Sequence, residues 1–412
     1  MTSKVKKKIL KLKESSTLVI NEKSKDLISE GKKIYQFGFG QSPFPVPEKI
    51  VESLKKNAYR KEYLPIQGLP ELRDNISKYL SKRTGNDYPK ENILITPGSK
   101  EAMLLIHIAF NGEIIIPAPG WVSYEPQAEI GSNRVHWLET SRSNNWFPTG
   151  KDLEKKIKLI GKNKNLILII NSPNNPSGTV CNNLEELAKV AKKYKIIVLS
   201  DEIYTDLTFT SEYKSISTFY PEYTFITGGL SKWCGAGGWR LGFLAVPKKL
   251  TEFLKSLKSL ASESYSTVNT PTQYASVEAY TNEHVLYKLK VIAILKAVGK
   301  YVYNNLKSNK ILIEPPQGAF YIMPEFKNKK YKTSSELCKA ILNDTGVAML
   351  PGSDFGFKPK KMLTRLSYTD FDGIEFFRNV TNCKMIDDEM IKKYAPNVVE
   401  GVSKLSNWAK NL

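Results

Sequence analysis

Ile196-Ile197-Val198-Leu199-Ser200-Asp201-Glu202-Ile203-Tyr204 is the stretch that decides the architecture. Its first four residues are apolar without alternation. That is the pattern of a strand covered on both faces, and such strands belong to parallel sheets sandwiched by helices. The run then ends on a carboxylate. A charge at the end of a buried strand has to be paired, because an isolated one takes up a proton instead. A protonated ring nitrogen is one partner that meets the need. Ligands of open α/β sheets bind beyond the carboxyl ends of the strands, which is where Asp201 falls. Glu202 beside it reads as exposed or structural.

Outward from this strand the same pattern recurs at Ile93 to Thr96, Glu113 to Ile116, Val135 to Leu138, Leu166 to Ile170, Thr224 to Thr227 and Leu241 to Val246. Most of these runs are separated by helical or loop segments. The expectation is an α/β fold with a mostly parallel, seven-stranded sheet sandwiched by helices. Long helical stretches follow to about Lys310. Short strands at Ala319 to Met323, Val347 to Leu350 and Met362 to Tyr368, mixed with helices, then suggest a smaller α+β domain. Pro43, Pro45 and Pro47 alternate, which forbids helix and central strand and marks a loop leading into a helix near Pro47. The segments before Gly40 precede the sheet and are expected to pack with the smaller domain. The division is therefore a large domain over 46–310 and a small one from 1–45 with 311–412, in keeping with a chain of 412 residues.

The hydrophobic share of 41% and charged share of 25% are those of a soluble globular protein. The net charge is +20, but its lysines are scattered among Glu and Asp, which describes a solvated surface and no nucleic-acid partner. The dense basic run Lys4 to Lys13 lacks the apolar core of a secretory signal and reads as a solvated tail or first helix. No apolar stretch approaches the roughly 20 residues that span a bilayer. Cys181, Cys234, Cys338 and Cys383 lie far apart and the three histidines are dispersed, so neither a disulfide framework nor a metal site is expected. A reducing cytoplasm suits them.

Three loops carry chemistry. Lys232 sits in the glycine-rich segment from Thr227 to Phe243, with Arg240 eight positions on. A lysine amine in such a site, beside another cation, has a lowered pKa and can attack a carbonyl to form a Schiff base. Alone, the same lysine reads first as a surface residue of a flexible loop. Strand, Gly98-Ser99 turn and helix leave backbone N–H groups aimed at an anion. Arg240 and Ser231 would add a guanidinium fork and a hydroxyl, which together make a phosphate site; the alternative for Arg240 is a structural ion pair. Tyr204 and Asn175 offer a hydroxyl and an amide that could bond a phenolic oxygen. Asn171 to Gly178 could otherwise be a turn cluster.

Together these segments resemble the class I aminotransferases, the pyridoxal-phosphate enzymes of fold type I. Asn175-Pro176-Ser177-Gly178 is similar to their Asn-Pro-x-Gly loop and Asp201-Glu202-Ile203-Tyr204 to their Asp-x-x-Tyr. Ser231-Lys232 with Gly238-Trp239-Arg240-Leu241-Gly242 is similar to their lysine and arginine signature. The resemblance covers nearly the whole chain, and Ser15 to Asn21 looks like the bacterial subgroup that contains aspartate aminotransferases. It implies that Lys232 holds pyridoxal 5'-phosphate through its amine. Asp201 keeps the pyridine nitrogen protonated, which makes the ring an electron sink. Tyr204 and Asn175 tune the phenolic oxygen, and Trp121, in a segment like the family's Pro-x-Trp, stacks on the ring. Gly98, Ser99, Lys100, Ser231 and Arg240 surround the phosphate. Tyr63 reaches it from a partner subunit, which implies a homodimer. Arg365 clamps the substrate α-carboxylate, and Gly40, Trp121 and Asn175 also face substrate. Gln317 to Tyr321 fits the family's small-domain strand. One departure is Gly229, where some members have a serine; Ser231 then has to supply the phosphate hydroxyl.

The activity implied is a ping-pong amino transfer between an L-amino acid, aspartate or another common one, and a 2-oxo acid, 2-oxoglutarate. The same scaffold also serves C–S lyases and aminocyclopropane-carboxylate synthases. A regulator that senses the cofactor and binds DNA is a reading from another class. It would carry an N-terminal helix-turn-helix domain, and the roughly fifty residues before the first core helices leave little room for one.

Overall fold

The apolar runs form one sheet in a computed structural model that describes residues 4–12, 14–210 and 213–412. Lys13, at the end of the basic run, lies outside the described residues. The strands are β1 (Ile93–Thr96), β2 (Glu113–Ala118), β3 (Val135–Glu139), β4 (Leu166–Asn171), β5 (Ile197–Asp201), β6 (Thr224–Gly229) and β7 (Gly242–Ala245), in the order β1-β7-β6-β5-β4-β2-β3. Strands β2 to β6 are parallel, as β2 pairs with β3 and β4, β4 with β5, and β5 with β6. Only β7 runs antiparallel, to β6 and β1. Its connection from β6 is the Lys232 loop, which contains no α-helix to carry a parallel crossover.

Burial on both faces explains the missing alternation. In β4, Ile167 and Ile169 join one core cluster while Leu168 and Ile170 join another. Helices Ser99–Ala109 and Thr251–Ser264 cover the first face, and Gly150–Ile160 and Leu184–Lys193 the second. Each such side chain taken out of water contributes about 1.5–3 kcal/mol.

Past the long helix Val285–Leu306 come five short strands, β8 (Ile311–Leu312), β9 (Tyr321–Ile322), β10 (Glu325–Phe326), β11 (Leu350–Pro351) and β12 (Thr364–Ser367). They form a three-stranded sheet, β11-β12-β9, and a β8–β10 pair. The β8–β10 pair escaped the sequence reading. The run expected as a strand from Val347 begins as a single parallel bridge from Val347 to Tyr35 and becomes a strand only at Leu350. The segment before Gly40 is bonded to these strands: Tyr35 N–H donates to Gly346 O at 2.9 Å, and Ser367 N–H to Phe37 O at 2.8 Å. One continuous core takes in Phe37, Ile226, Leu295, Tyr321 and Leu366. Among the described residues, no helix is long and apolar enough to cross a membrane.

Candidate active site

Register builds the first part of the site. Asn171, Asp201 and Thr227 are cross-strand neighbours at the carboxyl ends of β4, β5 and β6. Thr227 Oγ1 donates to Asp201 Oδ1 at 3.2 Å, and Asn171 Nδ2 to the Asp201 carbonyl at 2.9 Å. The other carboxylate oxygen accepts the Tyr124 hydroxyl at 2.8 Å. Asp201 is 3% exposed, and among the described residues no salt bridge neutralises it. Burial pushes its pKa up to about 6, against the pull of Tyr124 and Thr227.

Lys232 stands half-buried across from it. Its Nζ donates to Gly40 O at 2.8 Å and lies 5.7 and 5.6 Å from the ring centres of Tyr204 and Phe320. Burial, then the charges of Arg365 and Arg240, lower its pKa to about 8, with Asp201 opposing. Lys232 is thus not the exposed lysine of a flexible loop.

Arg365 comes from β12 and is 1% exposed. Its Nη1 donates to Asn175 Oδ1 at 3.2 Å, its Nη2 bonds Gly38 O, and its buried Nε has no hydrogen-bond partner among the described residues. A buried guanidinium with an unused donor is ready for an anion. Apart from Tyr63 and Gly98, every residue the sequence reading put in the site lines one cavity of about 590 Å³.

Residues 32–374 match the family described as "Aminotransferase class I and II". The chain belongs to that family. It is 31% identical over 374 residues to an aspartate aminotransferase of Thermotoga maritima, covering 88% of this chain and 94% of the relative. It is 30% identical over 382 residues to an asparagine–oxo-acid transaminase of Streptococcus mutans, covering 89% and 95%. A solved aspartate aminotransferase from Thermus thermophilus with maleate superposes with a TM-score of 0.85 at 25% identity, covering 98% of this chain and 100% of that one. The protein is a pyridoxal-phosphate-dependent aminotransferase of fold type I, with the look of the bacterial aspartate aminotransferases.

In this aminotransferase the residues expected around a phosphate lie close together. Gly98 caps helix Ser99–Ala109, and the Arg240 guanidinium lies against it, donating to Gly237 O at 2.9 Å and Pro97 O at 3.2 Å. Lys100 Nζ sits 5.1 Å from the Trp121 ring centre, its pKa lowered by burial and then by Arg240. Packing accounts for Gly229. A Cβ there would fall 2.7 Å from Leu241 O and 2.9 Å from Gly242 Cα, so a serine does not fit between β6 and β7.

Glu202 resolves to the structural alternative. It is buried, accepts Ser200 Oγ at 2.9 Å and the Ser215 hydroxyl, and pairs with Arg83. Tyr63 is 87% exposed and away from the cavity of its own chain. Four participants escaped the sequence reading: Tyr124, Asn171, Tyr321 and Thr17. A buried tyrosine hydroxyl needs a partner, but nothing in one sequence says which.

These residues fit pyridoxal phosphate. A buried carboxylate without a counter-cation suits a protonated ring nitrogen. An amine of lowered pKa suits an aldehyde, and the helix terminus with Arg240 suits a phosphate.

Proposed function

We propose that this aminotransferase moves the amino group of an L-amino acid, aspartate foremost, to a 2-oxo acid, 2-oxoglutarate, with pyridoxal 5'-phosphate held between Asp201 and Lys232. The observation that carries the reading is the set of charges lining one cavity: a buried carboxylate at the sheet end, an amine of lowered pKa, and Arg365 with an Nε unused among the described residues. When bound, the cofactor supplies an electron sink for charge that develops at the substrate Cα.

Each residue then has a task. Asp201 holds a proton on the ring nitrogen. Lys232 Nζ would anchor the cofactor and serve as the base that takes the proton from the substrate Cα; a pKa near 8 keeps part of it neutral at neutral pH. Asn175 has its oxygen occupied by Arg365, which leaves its N–H groups, with the Tyr204 hydroxyl, to bond the phenolic oxygen. Trp121 covers the ring. Ser99, Lys100, Ser231 and Arg240 hold the phosphate, and Arg365 takes the α-carboxylate as a fork.

Aspartate is favoured by the relatives named for aspartate and asparagine and by the maleate, a four-carbon dicarboxylate, in the Thermus structure. Lys100 and the buried Thr17 hydroxyl, without a hydrogen-bond partner among the described residues, line the same cavity and suit a second carboxylate. The exposure of Tyr63 suits a homodimer in which it reaches the partner's phosphate site. Four free cysteines suit a reducing cytoplasm.

The test is an amino-acid panel against 2-oxoglutarate with Lys232→Ala alongside. Glutamate and oxaloacetate from aspartate are expected, and the variant should lose both turnover and the visible band of the lysine-bound cofactor. Full turnover by the variant would sink the reading. Pyruvate and ammonia from cystathionine, with no pyridoxamine phosphate formed from amino acid alone, would make the enzyme a lyase instead.

A further inference from the structure

Tyr321 touches three parts of the site, yet no task so far falls to it. Its backbone is set in β9 by pairing with Ser367 of β12, and its side chain is 1% exposed. Its hydroxyl lies 2.9 Å from that of Tyr204, and the two rings meet edge to face with centres 5.7 Å apart. The Arg365 guanidinium sits over the Tyr321 ring, 4.8 Å from its centre. A Cβ on Gly40 would fall 1.9 Å from the Tyr321 hydroxyl oxygen. The backbone whose carbonyl holds Lys232 Nζ therefore runs against the same hydroxyl. Guanidinium and phenol are registered against one ring, and the amine against the glycine backbone beside it.

Two hydroxyls share one hydrogen bond, so one of them must donate. A cation over an aromatic face stabilises the phenolate and makes the phenol a better donor. Arg365 lies over Tyr321. Burial raises the pKa of both hydroxyls; the Arg365 charge is the largest influence after burial at Tyr321, whereas at Tyr204 the neighbouring Tyr321 outweighs it. Tyr321 is thus the donor and Tyr204 the acceptor. A hydroxyl that accepts a hydrogen bond becomes a stronger donor itself.

We propose that Tyr321 is a positioning residue that donates its hydroxyl proton to Tyr204, so that Tyr204 presents its own proton to the cavity, while the Tyr321 ring backs the Arg365 guanidinium. This rests on the reading of Tyr204 as a contact of the cofactor's phenolic oxygen and of Arg365 as the carboxylate clamp.

The experiment titrates the visible band of the pyridoxal-phosphate-loaded enzyme against pH in wild type, Tyr321→Phe, Tyr204→Phe and the double variant. Steady-state kinetics with aspartate and melting of the cofactor-free proteins accompany it. A weaker Tyr204 donor stabilises the deprotonated chromophore less, so Tyr321→Phe should raise the band's pKa by about 0.5–1 unit, the worth of one hydrogen bond. It should lower kcat, leave KM within about twofold, and melt like wild type. In the Tyr204→Phe background the same change should shift the band no further, because its route is removed. Tyr321→Leu, which also removes the ring, should raise KM for aspartate about tenfold.

A Tyr321→Phe band that titrates like wild type overturns the proposal, as does an equal shift in the Tyr204→Phe background. If Tyr321→Leu fails to fold, the phenylalanine cycle still decides. The wider reading fails separately: a band that survives Lys232→Ala removes the cofactor site itself, whereas loss of the band there with no shift in Tyr321→Phe removes only the role of Tyr321.

Discussion

Asp201 Oδ2 accepts the hydroxyl of Tyr124 at 2.8 Å, joining the end of β5 to the first residue of helix Tyr124–Ile130. Apart from Thr227, this is the side-chain donor that holds the carboxylate ionised against its burial. Tyr124→Phe removes it while keeping the ring, so the pKa of Asp201 should climb above about 6. The acid limb of the kcat/KM profile should then move to higher pH by about 0.5–1 unit, which a pH–rate series on both proteins checks.

Asp201 also sets a pH dependence of stability. Its pKa is raised by folding from 3.8 to about 6, so the folded chain binds more protons in that window. Stability from this group is full below 3.8 and is lost as the pH rises through about 6. Asp201→Asn should therefore raise the Tm of the cofactor-free protein at about pH 7.5 and lose that advantage near pH 4. It should also lower kcat by at least about 10²–10³-fold. Calorimetry at the two pH values reads the first effect and turnover the second.

Lys232 works with the opposite sign. Folding lowers its pKa from 10.5 to about 8, so between those values the unfolded chain binds more protons and stability rises with pH. Its cost is full below about 8 and fades toward 10.5. Lys232→Met should melt higher than the cofactor-free wild type at neutral pH, by a margin that shrinks above pH 8, and should be inactive. Loading of the wild type with pyridoxal phosphate, followed by stopped-flow absorbance, should speed up as the pH rises through about 8.

Arg365 is predicted to act through geometry as much as charge. Arg365→Lys keeps the cation but loses the fork and its bond to Asn175. KM for aspartate should rise about 10- to 100-fold, the loss of one to two charge-assisted hydrogen bonds, with a smaller effect on kcat. Steady-state kinetics separate the two.

Restoring a serine at position 229 should not help. The added Cβ meets Leu241 O at 2.7 Å, and crowding backbone in a packed sheet costs about 1–3 kcal/mol. Gly229→Ser should lower the denaturation midpoint and leave pyridoxal-phosphate affinity no better than wild type, as equilibrium dialysis would show.

Much of the fold was legible because burial writes itself into composition. Runs such as Leu166 to Ile170 and Ile196 to Leu199 have no polar face to show, and both of their faces are indeed covered. The short pair β8–β10 left no such trace. Lys232, Arg365 and Asn175 were singled out through the family resemblance, and they line one cavity. Tyr124, Asn171 and Tyr321 were not, since their hydrogen bonds follow from which distant elements the fold packs together.

By itself, then, the sequence determined that a two-faced sheet would form and that its strand ends would carry a carboxylate, an amine and a guanidinium, because hydrophobic burial and loop chemistry act locally along the chain. Tertiary structure alone decided what each of those groups touches. The bonds Tyr124–Asp201 and Tyr204–Tyr321 join residues 77 and 117 positions apart, and the packing of a helix and of a second sheet against the strand ends, which no local period encodes, brings them together. The same holds for the shifted pKa values of Asp201 and Lys232, which arise from burial and from charges delivered by separate elements.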